Sequence, residues 1–94
     1  MKKRFRNFET YALVTGAASG MGRIYSLRLA EKGYNVILVD INAKGLEETE
    51  VLIKASVQEA KVLPIVQDLS VLDAADQIFA KTEAAGCQVA GLVN

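Results

Sequence analysis

Four short apolar runs, separated by longer amphipathic segments, constrain this chain more than any other feature. The runs are Tyr11-Ala12-Leu13-Val14-Thr15, Val36-Ile37-Leu38-Val39, Val62-Leu63-Pro64-Ile65-Val66 and Val89-Ala90-Gly91-Leu92-Val93. They are rich in β-branched residues and nearly continuous, as strands buried on both faces tend to be. The segments between them have helical spacing. Gly20 to Lys32 carries Met21, Ile24, Tyr25, Leu27 and Leu29 and ends at Gly33, suited to a left-handed C-cap. Asn42 is placed to cap a second helix whose inward positions include Leu46, Thr49 and Ile53. Ser70 and Asp73 have capping-box spacing, with Asp replacing the usual Glu or Gln. The helix they open should bury Val71, Ala74, Ala75 and Ile78 and stop at Gly86.

Strand–helix alternation implies right-handed crossovers and a parallel sheet. Two crossovers in one direction put the first two helices on one face. If the fourth strand returns beside the first, the third helix covers the other face. The expected fold is therefore α/β: a three-layer, doubly wound parallel sheet of four strands in the order 3-2-1-4. Pro64 supports that order, because it cannot donate to a ladder and strand 3 becomes an edge. No repeat or linker interrupts the chain, so residues 10–94 read as one unit behind a basic leader, residues 1–9.

Ninety-four residues suffice for one small domain, and 51% hydrophobic content is globular. Eleven basic and eleven acidic residues cancel, which argues against a nucleic-acid or anionic-membrane partner. Met1-Lys2-Lys3-Arg4-Phe5-Arg6 has the charge of a signal n-region without an apolar h-region behind it, and reads as a solvated leader. No apolar run approaches the roughly 20 residues of a membrane span. A single cysteine, Cys87, cannot form an internal disulfide and suits a reducing, cytoplasmic setting. Histidine is absent, which removes His-based acid–base catalysis and His-containing metal sites.

The chemistry gathers where strand 1 turns into helix 1, at Thr15-Gly16-Ala17-Ala18-Ser19-Gly20-Met21-Gly22. A pyrophosphate needs unpaired backbone N–H donors and the positive end of a helix dipole. Gly16 permits the tight turn, Gly20 lets the backbone approach the phosphates, and Gly22 lets the helix pack closely on the sheet. Ser19 can add a hydroxyl. Three glycines in a turn often serve only the turn, and the Gly-x3-Gly-x-Gly spacing differs from the commoner dinucleotide fingerprint. Asp40 sharpens the reading. It ends strand 2, where the ribose-binding acid of a Rossmann unit belongs, although a turn-capping role is the alternative. A carboxylate there accepts both ribose hydroxyls of NAD and repels the 2′-phosphate of NADP. Lys44 and Arg23 are nearby cations that could weaken the preference.

Thr15 to Gly22, followed by Arg23, resembles the Thr-Gly-x3-Gly-x-Gly motif of short-chain dehydrogenases/reductases. The spacing to Asp40 is also theirs. Asp68-Leu69 resembles the pair that cradles adenine in that family, and Leu92-Val93-Asn94 the start of its Asn-Asn-Ala-Gly motif. The resemblance implies that Gly16, Ser19, Gly20, Met21 and Gly22 line the pyrophosphate and nicotinamide-ribose side. It places Asp40 and Ile41 at the adenosine ribose, Asp68 and Leu69 at the adenine, and Asn94 beneath the ribose. Thr15 would tie strand ends together.

The implied activity is hydride transfer between a nicotinamide dinucleotide, NAD rather than NADP, and an alcohol or carbonyl substrate, in a homo-oligomeric parent protein. The alternative is a nucleotide-binding module without catalysis. Family members act through a serine and a Tyr-x3-Lys pair. Here the residues four beyond Tyr11, Tyr25 and Tyr34 are Thr15, Leu29 and Leu38. The expectation is thus a cofactor-binding half that stops before the catalytic residues, and that self-associates through an apolar fourth strand.

Overall fold

A computed structural model describes residues 10–93; the basic leader and Asn94 lie outside the described residues. The order of elements is β1 (Thr10–Thr15), α1 (Gly20–Glu31), β2 (Asn35–Asp40), α2 (Ala43–Ser56), β3 (Val62–Val66), α3 (Ala74–Ala84) and β4 (Gln88–Val93). All strand pairings are parallel, in the order β3-β2-β1-β4, as the crossover argument requires. Pro64 pairs opposite Leu38 on edge strand β3, where its missing N–H costs no ladder bond to a further strand. The β1–β4 register shifts between Tyr11, opposite Val89, and Ala12, opposite Gly91, so Ala90 is the extra residue of a bulge.

Alternate strand residues fill two cores. On one face Val14, Val36 and Leu38 pack with Ala30 of α1 and with Leu46 and Ile53 of α2. On the other, Tyr11, Leu13, Ile37, Val39 and Ile65 pack with Ile78 of α3. Ile37 and Leu38 are fully buried on opposite faces, each worth about 1.5–3 kcal/mol relative to exposure. This makes three layers. The α3 face is thinly covered. A groove of about 400 Å³ runs between α3 and β4, and Leu72, Phe79 and Leu92 on its walls are exposed.

Helix α2 follows the sequence closely. Asn42 accepts the Gly45 N–H at 3.0 Å as N-cap, and Leu46, Thr49 and Ile53 are buried. Helices α1 and α3 depart from expectation. Met21, Ile24 and Tyr25 are exposed, whereas Leu27 and Leu29 are partly buried against the core and the fully buried positions of α1 are the small residues Ser26 and Ala30. Small side chains bring the helix axis closer than the larger ones would. The Ser26 hydroxyl is satisfied by the Gly22 carbonyl at 2.7 Å.

The Ser70–Asp73 capping box does not form. Asp68 captures the Ser70 N–H at 2.9 Å and its hydroxyl at 2.7 Å, so the chain turns through residues 69–73 and α3 begins at Ala74. Asp73 makes no cap bond and instead accepts from Gln77 Nε2 at 2.9 Å. Ala74 and Ile78 are buried as expected, whereas Val71 and Ala75 are exposed. Gly33 and Gly86, at φ 106° and 74°, end α1 and α3 in the left-handed conformation that favours glycine.

Candidate functional site

The C-terminal ends of β1, β2 and β3 open onto one edge of the sheet. Thr15 closes β1 by donating its hydroxyl to the Val93 carbonyl at 3.3 Å, which ties two strand ends together. Gly16 and Gly20 follow at φ 68° and 56°, and a Cβ on either would meet no heavy atom within 4 Å. The two glycines therefore border open space rather than a packed wall. Ser19, the N-cap of α1, is extended and exposed, and its side chain makes no cap bond. Among the described residues, the N–H groups of Gly20, Met21 and Gly22 in the first helical turn have no backbone acceptor. Gly22 serves a different contact from the one expected. Its Cβ would lie 2.0 Å from the Gly16 carbonyl oxygen, so the close approach is to the loop's own backbone and not to the sheet.

The underside of the loop is fastened at four points. The Ala17 N–H donates to Val39 O at 3.2 Å, and the Thr49 hydroxyl donates to Ala17 O at 2.7 Å. The Ala18 N–H donates to Asp40 Oδ2 at 3.1 Å, and Arg23 Nη2 donates to Ala18 O. Arg23 also reaches Thr49 Oγ1 at 2.8 Å, Gly45 O at 3.2 Å and Glu48 Oε1 at 3.3 Å. Gly45 must be glycine for α2 to lie this close. A Cβ there would stand 2.7 Å from the Ala18 methyl and 2.8 Å from its carbonyl oxygen. From sequence alone Arg23 is a cation near the site, Thr49 is an inward helix position, and Gly45 is not singled out. A glycine in the first turn of an otherwise favourable helix was the available signal.

Asp40 sits at the end of β2 with both carboxylate oxygens oriented by backbone, Oδ2 by Ala18 and Oδ1 by the Asn42 N–H at 3.0 Å. Each oxygen keeps a lone pair for a further donor. Together with Gly16, Ile41, Asp68, Leu69, Gln67 and Ser70 it lines a cleft of about 210 Å³. Ile41 and Leu69 are exposed apolar walls. Asp68 is exposed, and its bonds from Ser70 hold the carboxyl below the usual carboxylate range. Gln67, another residue the sequence reading did not single out, is buried beneath the cleft and donates to Gln77 Oε1 at 2.8 Å while accepting from Lys81 at 3.3 Å.

The structure thus brings Gly16, Asp40, Ile41, Asp68 and Leu69 to one cleft and sets Ser19, Gly20, Met21 and Gly22 beside it at the start of α1. Met21 projects into solvent, 62% exposed. Asn94 lies outside the described residues. No cluster of three or more His, Cys, Asp or Glu able to hold a metal occurs among the described residues, and no helix there is long and apolar enough to cross a membrane.

Parallel strands with an open glycine turn at the first helix and an acid ending the second strand define a nucleotide-binding α/β unit. Residues 10–94 match the short chain dehydrogenase family model, and the chain belongs to the short-chain dehydrogenase/reductase family of oxidoreductases. Levodione reductase of Leifsonia aquatica is 40% identical over 58 residues, which are 62% of this chain and 22% of that protein. A very-long-chain 3-oxoacyl-CoA reductase of Aspergillus fumigatus (strain Af293) is 36% identical over 87 residues, 90% of this chain and 24% of that enzyme. The chain therefore spans about a quarter of the length of these relatives.

Among solved structures, YwfH, an NADPH-dependent reductase involved in bacilysin biosynthesis, superposes with a TM-score of 0.84 at 28% identity, covering 94% of this chain and 34% of that one. A metagenomic short-chain oxidoreductase in complex with NADP gives a TM-score of 0.75 at 29% identity, over 89% of this chain and 37% of that one. Relatives thus include NADP(H) users, and family membership alone gives nicotinamide dinucleotide binding without the choice between the two forms.

Proposed function

We propose that this chain supplies the dinucleotide-binding part of an NAD-preferring oxidoreductase acting on an alcohol or carbonyl compound. The observation that carries the reading is the Asp40 carboxylate on the wall of the cleft, beside the first turn of α1, where the Gly20, Met21 and Gly22 N–H groups have no backbone acceptor among the described residues. The open space at Gly16 and Gly20 fits a pyrophosphate, for which the first turn of α1 supplies donors and a favourable dipole. The cleft between Asp40–Ile41 and Asp68–Leu69 fits a ribose and a purine ring. Ser19 and Met21 would flank the phosphates and the nicotinamide side, with Asn94 beneath the ribose. When bound, the dinucleotide supplies hydride chemistry at its nicotinamide ring. Substrate proton transfer would fall to residues other than the tyrosines of this chain, none of which has a lysine four positions on.

Two features favour NAD. Asp40 places negative charge where a 2′-phosphate would stand. Arg23 is engaged through Nε and Nη2 by Ala18, Gly45, Thr49 and Glu48, which withdraws it from the role of competing cation. Lys44 lines a different groove, with Glu47 and Glu50, between α2 and Pro64 and Val66 of β3. The test is titration of NAD and NADP by calorimetry, with Asp40→Ser alongside. Loss of a charged hydrogen bond of ~1.5–3 kcal/mol predicts NAD affinity about 10- to 150-fold weaker and a narrowed preference. Tighter NADP binding by the unmodified protein would overturn the assignment. The alternative reading is a nucleotide-binding module without chemistry. Dinucleotide binding without any NADH absorbance change across an alcohol panel would favour that reading.

A further inference from the structure

Arg23 is held through Nε and Nη2 by four protein acceptors yet does not line the open cleft. Its side chain is 29% exposed, and its Nε and Nη2 donors all point at protein acceptors. These acceptors belong to two pieces of chain: Ala18 in the glycine turn, and Gly45, Glu48 and Thr49 in the first two turns of α2. Asp40 spans the same two pieces, through the Ala18 N–H and through the Asn42 N–H at the start of α2. The two braces run in parallel. Ala18 is the shared joint, with its N–H on the carboxylate and its C=O on the guanidinium.

We infer that Arg23 is a positioning residue for cofactor choice: by fixing Ala18 against the start of α2, it holds the Asp40 carboxylate in the orientation that selects an unphosphorylated adenosine ribose. The inference rests on the reading of Asp40 given above. Three observations support it. Gly45 permits a separation from Ala18 that a Cβ would forbid, so the distance the guanidinium bridges is set by close packing. Thr49, fully buried, relays the brace by accepting from Arg23 Nε and donating to Ala17 O. The planar guanidinium is suited to several acceptors fixed at once, whereas a lysine ammonium is a flexible point charge.

The position of Arg23 also separates two roles that a cation near a nucleotide site can have. A guanidinium that met a 2′-phosphate would favour NADP, and its removal would weaken NADP most. A guanidinium that positions Asp40 favours NAD, and its removal releases Ala18, lets the carboxylate turn, and weakens NAD most. The two predictions have opposite signs.

The experiment is calorimetric titration of NAD and NADP into the protein expressed from its complete reading frame, comparing the parent with Arg23→Lys, Arg23→Gln, Thr49→Val and Glu48→Gln. Loss of one or two charged hydrogen bonds predicts NAD binding about 10-fold weaker in both Arg23 variants, with NADP changed by less than about 2-fold. Arg23→Lys keeps the charge and should still narrow the ratio. Thr49→Val should narrow it about 3-fold, and it carries the test should the Arg23 variants not fold. Exposed Glu48 should matter little. Equal weakening of both dinucleotides, an unchanged ratio, or a larger loss for NADP would each overturn the inference while leaving dinucleotide binding intact. A parent protein that binds neither dinucleotide would remove the underlying reading as well.

Discussion

Gly22→Ala tests the most demanding contact in the glycine turn. The new Cβ would lie 2.0 Å from the Gly16 oxygen, 2.6 Å from the Gly16 carbonyl carbon and 3.1 Å from the Ala17 Cα. All three are backbone atoms, so no side chain can swing aside. Reaching a contact near 3.5 Å requires helix and turn to part by more than about 1 Å. Two terms oppose each other. Alanine gains about 1 kcal/mol over glycine within a helix, while forced overpacking against rigid neighbours costs ~1–3 kcal/mol or more. The clash should win, because the Gly16–Ala17 turn is itself fastened by Val39 and Thr49.

The expected result is a net loss of about 1–2 kcal/mol in urea unfolding, and NAD binding at least ~10-fold weaker as the turn is displaced. Gly20→Val provides the contrast. It meets open space but sits at φ 56°, so it should bring backbone strain of about 1–2 kcal/mol and place a branched side chain where the proposed pyrophosphate would pass. A Gly22→Ala protein with unchanged stability and unchanged NAD affinity would refute the close approach of helix and turn.

Asn42→Ala should remove the N-cap bond to Gly45 and cost about 1 kcal/mol, read as a lowered urea midpoint; Ser70→Ala, whose hydroxyl engages Asp68 instead of capping α3, should leave helix content unchanged by circular dichroism. Burial and the neighbouring Cys87 thiol push the Tyr11 hydroxyl above its ordinary value of 10.0. The folded state therefore holds this proton more tightly than the unfolded chain. Its stabilising contribution is complete below pH ~10 and is lost as pH rises through the higher folded value. Melting curves between about pH 9 and 11.5 should fall more steeply for the parent than for Tyr11→Phe, and parallel curves would refute the shift. The 94-residue polypeptide by itself should self-associate through β4 and the exposed Leu72, Phe79 and Leu92, visible by sedimentation; a monodisperse monomer would contradict the exposed-edge argument.

Strand order and helix sidedness were legible because they follow from chain geometry and not from particular contacts. Four runs and three crossovers permit few arrangements, and Pro64 marked the edge. Helix α2 was legible for a related reason: cap and apolar stripe agree, and although Asp40 takes the Asn42 N–H, the Asn42 side chain still caps Gly45. The start of α3 was not, because Ser70 has two possible partners and the nearer one, Asp68, takes both its N–H and its hydroxyl. Helix α1 misled through its large residues. Spacing marks Met21, Ile24 and Tyr25 as a face, but the side turned to the core buries Ser26 and Ala30 fully, where the axis can come nearest, with Leu27 and Leu29 partly buried beside them.

The same distinction runs through the site. Glycine and Asp40 announce themselves in sequence because each does something other residue types cannot do at that spacing: one adopts positive φ, the other ends a strand with a carboxylate. Arg23 and Thr49 are ordinary helix residues, and only their meeting across α1 and α2 gives them a role. That meeting bears on a choice that family membership leaves open, since relatives of this chain include NADPH users. If a carboxylate discriminates between two riboses, its charge must face one fixed place, and a freely turning Asp40 would repel a 2′-phosphate less and grip a 2′-hydroxyl more weakly. Cofactor preference in such a site is therefore a property of the brace as much as of the acid. A chain that kept the equivalents of Gly16, Gly20 and Asp40 but lacked those of Arg23 or Gly45 should bind both dinucleotides with more nearly equal affinity.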